Sequence, residues 1–315
     1  MITDSVNIWA GFITYGAATA PYLEAFLASL IGQDVPLHII AFDNTPEETN
    51  ANRTILSHYP SIAVLGTGEN IGFSRAYNIM MRQAATAGAD YFLVINPDTV
   101  LEPDAVGKLV DVLSHDATLG SVAPKLRRWD FAQRRKTTQL DSCGLRLVPG
   151  LEFHDIGQGE EDRGQHDSTA IIGPSGAAGL YRVAALEAAA EAGRYFDEHF
   201  FMYKEDCDLA YRLEQAGFPS RLVPAALVYH DRSDTGGSLR DRFANRFSRT
   251  RNNRRWAFIN QHLLFLKYWR RQGFFGKWAI LFRAALRFAA ALLLEPYLLK
   301  EYGAIAVQAK DLKKY

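Results

Sequence analysis

Residues Tyr91 to Asp98 read YFLVINPD, and no other stretch limits the fold so strongly. An unbroken apolar run that stops at a proline is too short for a buried helix and suits a strand covered on both faces. Such a strand belongs to a parallel sheet and would deliver Asp98 to the carboxyl edge, where open α/β sheets take their ligands. Asn-Pro-Asp is also ordinary turn chemistry, so position alone leaves Asp98 open to a structural reading.

The residues before this strand alternate in βα fashion. Ile8 to Thr14 and Leu37 to Phe42 read as strands, with Asp43 ending the second. Between them Leu23, Phe26, Leu27 and Leu30 share one face of a helix from Tyr22 to Leu30. A helix from Glu47 to His58 is expected with Thr45 as cap and Pro46 at its first position. A short strand at Ile62 to Leu65 and a helix from Phe73 to Ala87 complete the pattern. Together these elements predict half of a doubly wound parallel sheet.

Past Asp98 the regularity weakens. A helix is expected from Pro103 to Leu113. The polar, Gly-rich segment from Ile156 to Thr169 reads as a mobile loop of the kind that closes over a substrate. Order returns at Gly173 to Arg182 and in a helix from Asp206 to Gln215, where Leu209 and Leu213 repeat at one turn and Gly217 marks the end. Glu205, Asp206 and Asp208 therefore fall at its start. They suit the helix dipole there, but three acids exceed what capping needs, and crowded like charges can raise one carboxyl toward a useful pKa. His230 closes the apolar run Leu227-Val228-Tyr229, again at a strand end, where a lone histidine can equally be structural.

Formal charge balances over the 315 residues, but from Arg240 onward 17 Lys and Arg face 4 Asp and Glu. This tail, Phe243 to Leu299, has a helical and aromatic pattern. Its most apolar part, Trp278 to Leu294, contains Arg283 and Arg287, which are costly at a bilayer centre. Amphipathic helices lying on a membrane surface are expected, with an oligomer contact as the alternative. Cys143 and Cys207 are too few for a disulfide framework and lack zinc spacing. The N-terminus has no basic residue before its apolar run, unlike a secretory signal. Both features point to the cytoplasm.

A carboxylate at one strand end, a histidine at another and acids at a helix start could hold a divalent cation and a general base. Mg²⁺ takes only one or two protein carboxylates beside phosphate oxygens and water, and Mn²⁺ accepts histidine more readily. Asp43 sits where an acid can accept bonds from a nucleoside. Arg75 begins a helix and could meet a diphosphate with guanidinium and helix N-terminus together, although Ser74 capping accounts for the same segment. A nucleotidyltransferase would use similar groups. A nucleic-acid module built on Arg240 to Arg255 leaves the acids unexplained, so no nucleic-acid partner is expected.

The segments FITYG (12–16), AFDN (41–44), ENIGFSRAYN (69–78), FLVINPDTVLEPDA (92–105), VAPKL (122–126), SGAAGLYR (175–182), FDEHFFMYKEDCDLAYRLEQAGF (196–218) and VYHDRS (228–233) follow one another as in glycosyltransferase family 2. Within it, the chain resembles the bacterial rhamnosyltransferase-like group. The resemblance implies an α/β GT-A fold with a mostly parallel central sheet, a divalent cation (Mg²⁺ or Mn²⁺) and inversion at the anomeric carbon. Asp98 looks like the last acid of the metal motif, with Asn96 replacing the first, and His230 like a further metal ligand. Asp206 looks like the catalytic base, with Glu205 beside it. Thr14, Tyr15, Asp43 and Arg75 match positions around the nucleotide, whereas Gly16 departs from the usual Asn. The implied donor is dTDP-L-rhamnose or a UDP-sugar, and the implied acceptor a lipid-linked or polysaccharide glycan at the inner membrane face. Residues 1–98 would form the nucleotide half, 99–238 the acceptor and catalytic half, and 239–315 the helical extension.

Overall fold

The computed structural model describes residues 6–47, 49–232 and 251–312. The expected boundary at residue 238, Ser233 of the VYHDRS motif and residues 240–250 of the Arg-rich segment lie outside them. The first half runs β1 (Ile8–Thr14), α1 (Gly16–Ile31), β2 (His38–Asp43), α2 (Ala51–Leu56), β3 (Ala63–Leu65), α3 (Phe73–Thr86) and β4 (Tyr91–Ile95). Its strands pair in the order β3-β2-β1-β4, all parallel. Every residue of β4 is buried because both faces are covered. Leu93 and Ile95 join α1 residues Leu23, Phe26 and Leu27 on one side. Phe92 and Val94 join α3 residues Tyr77, Met80 and Met81 on the other. Each such side chain removes enough apolar surface to contribute roughly 2 kcal/mol. Gly11 of β1 permits this packing, since a Cβ there would meet Phe92 Cζ at 2.5 Å.

The second half contains β5 (Thr99–Leu101), α4 (Ala105–His115), β6 (Ser121–Asp130), β7 (Arg135–Ser142), β8 (Leu145–Val148), β9 (Glu152–Asp155), β10 (Ala178–Arg182), α5 (Val183–Ala188), α6 (Glu205–Gln215) and β11 (Ser220–His230). β10 inserts antiparallel between β4 and β6, and β11 then runs parallel to β6. The carboxyl end of β11 consequently reaches the same edge as that of β4. Antiparallel β5 ties the two together, with His230 opposite Thr99 and Asp231 N–H donating to Asp98 O at 2.9 Å.

Two local expectations change. The helix expected from Glu47 is the shorter α2, capped by Asn50, whose side chain accepts from Arg53 N at 3.0 Å. Thr45 N and the Asn50 amide donate to the Asp43 carboxylate instead, and Thr45 accepts from Gly16 N at 3.0 Å. The segment from Ile156 to Thr169 is not a free flap. Backbone bonds tie it to β7, and Asp162 pairs with Lys125 at 3.1 Å and Arg127 at 2.6 Å on β6.

The C-terminal helices are α7 (Arg251–Tyr268), α8 (Phe274–Leu294) and α9 (Glu301–Leu312). α7 differs from a surface-lying helix. Its Phe258, Leu263, Leu264 and Tyr268 form a third core with Cys207 and Tyr211 of α6 and with Phe153 of β9. Of these three helices, as described, α8 alone keeps a broad apolar face in solvent. Among the described residues, no helix is long and apolar enough to cross a membrane.

Candidate active site

A cleft of about 450 Å³ opens over the carboxyl ends of β4 and β11 and the start of α6. Asn96, Asp98, Glu205, Asp206 and His230, five residues marked out by the sequence, all line it. Size and placement match a ligand site at the edge of an α/β sheet.

On one wall Asp98 Oδ1 lies 3.3 Å from His230 Nε2, yet no well-directed hydrogen bond reaches this buried oxygen. The other imidazole nitrogen, Nδ1, is 2.8 Å from Asp141 Oδ2. Asp141 lies wholly buried on β7 and is also 3.4 Å from Arg232. Burial works against the charge of His230, but Asp98 and Asp141 on either side outweigh it and raise the pKa to about 10. Burial likewise opposes the charge of Asp141, while Arg232 and His230 hold it down at about 2. The carboxylate behind the imidazole fixes ring orientation in the manner of metal-binding histidines. Among the described residues no group of three or more His, Cys, Asp or Glu is arranged to hold a metal ion. A pair with one under-coordinated carboxylate oxygen fits a sparsely held cation that takes most of its ligands from phosphate and water.

The opposite wall is the start of α6. Tyr203 and Lys204 immediately precede it, both with left-handed backbones (φ 71° and 74°). Such conformations are strained for side chains of this size and persist only where the surroundings enforce them. Asn260 of α7 is that constraint. Its amide donates to Met202 O at 2.8 Å and to Tyr203 O at 2.7 Å. The turn presents Asp206 to the cleft, where its carboxylate accepts from Gly176 N at 2.9 Å and Cys207 N at 2.8 Å. Neighbouring Glu205 is buried, and burial together with the Asp206 charge pushes its carboxyl well above the usual range. Asp208 has a different task. It points inward to Arg212, Tyr268 and Lys267 at 2.8, 2.6 and 2.8 Å, joining α6 to α7.

The residues matched to the nucleotide lie apart from this cleft, along the same sheet edge. Thr14 donates to Asp43 Oδ1 at 2.9 Å. Asp43 is fully buried and also accepts from Thr45 N, Asn50 and Arg53. Burial opposes its charge, but the bonds from Thr45, Asn50 and Thr14 hold its pKa below the ordinary Asp value. Tyr15 and Arg75 are exposed, Arg75 in the first turn of α3. Sequence reading missed Asp141, Arg232, Asn260 and Asp155, whose carboxylate is 3.0 Å from Arg232. Arg232 stands inside VYHDRS but drew no role there, and Asp141, Asn260 and Asp155 sit in no local motif, so that strand pairing and helix docking bring them to the site.

Residues 16–258 match the family model described as "Glycosyltransferase like family 2". The chain belongs to that family, and its sheet, with the helices that follow, has the GT-A form. Over 251 residues it is 30% identical to the N-acetylglucosaminyl-diphospho-decaprenol L-rhamnosyltransferase of Mycobacterium tuberculosis, covering 75% of this chain and 79% of that protein. Rhamnosyltransferase WbbL of Escherichia coli K12 is 25% identical over 224 residues, 66% of this chain and 78% of the relative. Among solved structures, mannosyltransferase PcManGT from Pyrobaculum calidifontis, in complex with GDP-Man and Mn²⁺, superposes with a TM-score of 0.54. It is 17% identical and covers 98% of this chain and 82% of that one, a likeness of fold.

Proposed function

We propose that this glycosyltransferase moves L-rhamnose from dTDP-L-rhamnose to a hydroxyl of a diphospholipid-linked sugar at the cytoplasmic face of a membrane, with inversion. The observation that carries the reading is the convergence of Asp98, His230 and Asp206 on one cleft. The names of the two relatives support the sugar, and that of the mycobacterial protein supports the lipid-linked acceptor.

Asp206 takes the proton from the acceptor hydroxyl as that oxygen attacks the anomeric carbon, and the bond to the nucleoside diphosphate breaks on the opposite face. The N–H groups of Gly176 and Cys207 orient the Asp206 carboxylate. Burial and the Asp206 charge both raise the Glu205 carboxyl, which disfavours a second negative charge beside the base. Asp98 and His230, the latter braced by Asp141, would hold Mg²⁺ or Mn²⁺. Such a cation, when bound, neutralises charge on the departing diphosphate. Arg75 and the N-terminus of α3 offer positive potential to the same group, while Asp43 and Thr14 order the loop beside the nucleoside.

Asp206→Asn tests the base. Donor-linked thermal stabilisation should persist while turnover falls about a thousandfold, as for loss of a general base. Near-normal turnover removes the assignment. A donor panel in the same assay tests the sugar: stabilisation by UDP-sugars, with none by dTDP-L-rhamnose, would replace it.

A further inference from the structure

The two arginines that interrupt the apolar run of α8 do not face outward. Arg287 bonds Glu152 of β9 at 2.7 Å. The stem of Arg283 lies against Gly150, where an added Cβ would come within 2.9 Å of its Cγ. Together with Ile280 and Ala291, both buried, they form the inner face of α8 at spacings of three and four residues. That face rests on the β8–β9 hairpin, whose Phe153 and Asp155 line the cleft.

The opposite face carries no charge. Phe274, Phe275, Trp278, Phe282, Leu286 and Leu293 recur every few residues along it, and Phe275, Phe282 and Leu293 are 85%, 63% and 78% exposed. A soluble helix turns its apolar stripe to the core and its charges to water, and α8 does the reverse. At about 1.5 Å per residue the stripe is roughly 30 Å long, far larger than scattered surface apolar residues produce. Basic side chains flank both ends, with Arg270 and Arg271 before the helix and Lys300 after it, all exposed. Any two-fold pairing of this stripe with a second copy sets basic end against basic end, whether the helices align parallel or antiparallel. An anionic bilayer satisfies both features at once.

We propose that the outer face of α8 seats on an anionic lipid surface, its aromatic residues at the boundary of headgroups and acyl chains and Arg270, Arg271 and Lys300 against lipid phosphates. The hairpin under α8 then holds one wall of the cleft close to the bilayer. This names the surface that would present the acceptor and in that respect rests on the reaction above. Vesicle binding is measured without turnover, however, so either can fail alone.

The test is flotation of the full-length protein with vesicles of phosphatidylglycerol and phosphatidylethanolamine, compared with neutral phosphatidylcholine. The wild type should float with the anionic vesicles. Phe275→Asp and Phe282→Asp should each weaken flotation about tenfold or more with no change in melting temperature, because both side chains are already in solvent. Arg270→Glu combined with Lys300→Glu should abolish the preference for anionic lipid. Equal flotation of the wild type and both phenylalanine variants overturns the assignment. So does a wild type that ignores vesicles and forms a dimer that Phe275→Asp dissociates.

Discussion

The turns after β2 and β4 begin alike, each with an aspartate at or just past the carboxyl end of a parallel strand. Asp43 is met by a hydroxyl, a backbone N–H, an amide and a guanidinium from its own chain. Asp98 is met by one imidazole at 3.3 Å and keeps an oxygen without a directed donor. On the reaction proposed above, the carboxylate that the chain satisfies holds structure, and the one that it leaves under-satisfied is the one offered to chemistry. Topology chooses the place, and the local supply of donors chooses the role.

The sharpest way to break this contrast is Asp98→Ala. Turnover should fall a hundredfold or more, and stabilisation by donor plus Mn²⁺ should vanish, while the melting temperature without ligand stays close to wild type. A protein that unfolds more readily, with donor response intact, would place Asp98 on the structural side. Asp141→Asn probes the brace behind His230. Mn²⁺ affinity, followed by titrated thermal shift in the presence of donor, should drop roughly 10- to 100-fold, as for loss of an outer hydrogen-bond partner of a liganding histidine.

Asp43→Ala should show the opposite profile, destabilising the protein by about 2 kcal/mol. It orphans several donors, although Arg53 is partly solvated and softens the loss. The pH dependence has a definite sign. Because the folded pKa of Asp43 is lowered, its contribution is complete above the unfolded Asp value of about 3.9. That contribution is lost as pH falls below this value toward the lower folded one. Denaturation curves of wild type and Asp43→Ala should therefore converge on acidification, and a gap that persists at low pH would argue against the linkage.

What could be read along the chain was whatever repeats locally. The run from Tyr91 to Ile95 announces a strand covered on both faces, the α1 apolar residues mark its inner face, and the acids of α6 stand in its first turn as their position suggests. What could not be read depends on partners distant in sequence. β10 enters antiparallel, although nothing in AGLYR distinguishes direction. Asp141 matters because β7, β6 and β11 are neighbours, so that its carboxylate meets an imidazole 89 positions on. The Gly-rich stretch from Ile156 looks mobile by composition, but Asp162 finds two cations on β6. Thr45 would make a good helix cap, and instead its hydroxyl accepts from Gly16 N beside the Asp43 knot.

The backward-folded corner at Tyr203 and Lys204, gripped by Asn260 from more than fifty residues downstream, bears on how such enzymes can be re-engineered. The segment that would address a membrane also holds the turn that carries Asp206, the proposed base, so it is no detachable cassette. A chimera exchanging everything after β11 for a foreign anchor would have to keep α7, or the turn would relax and carry Asp206 away from its acceptor.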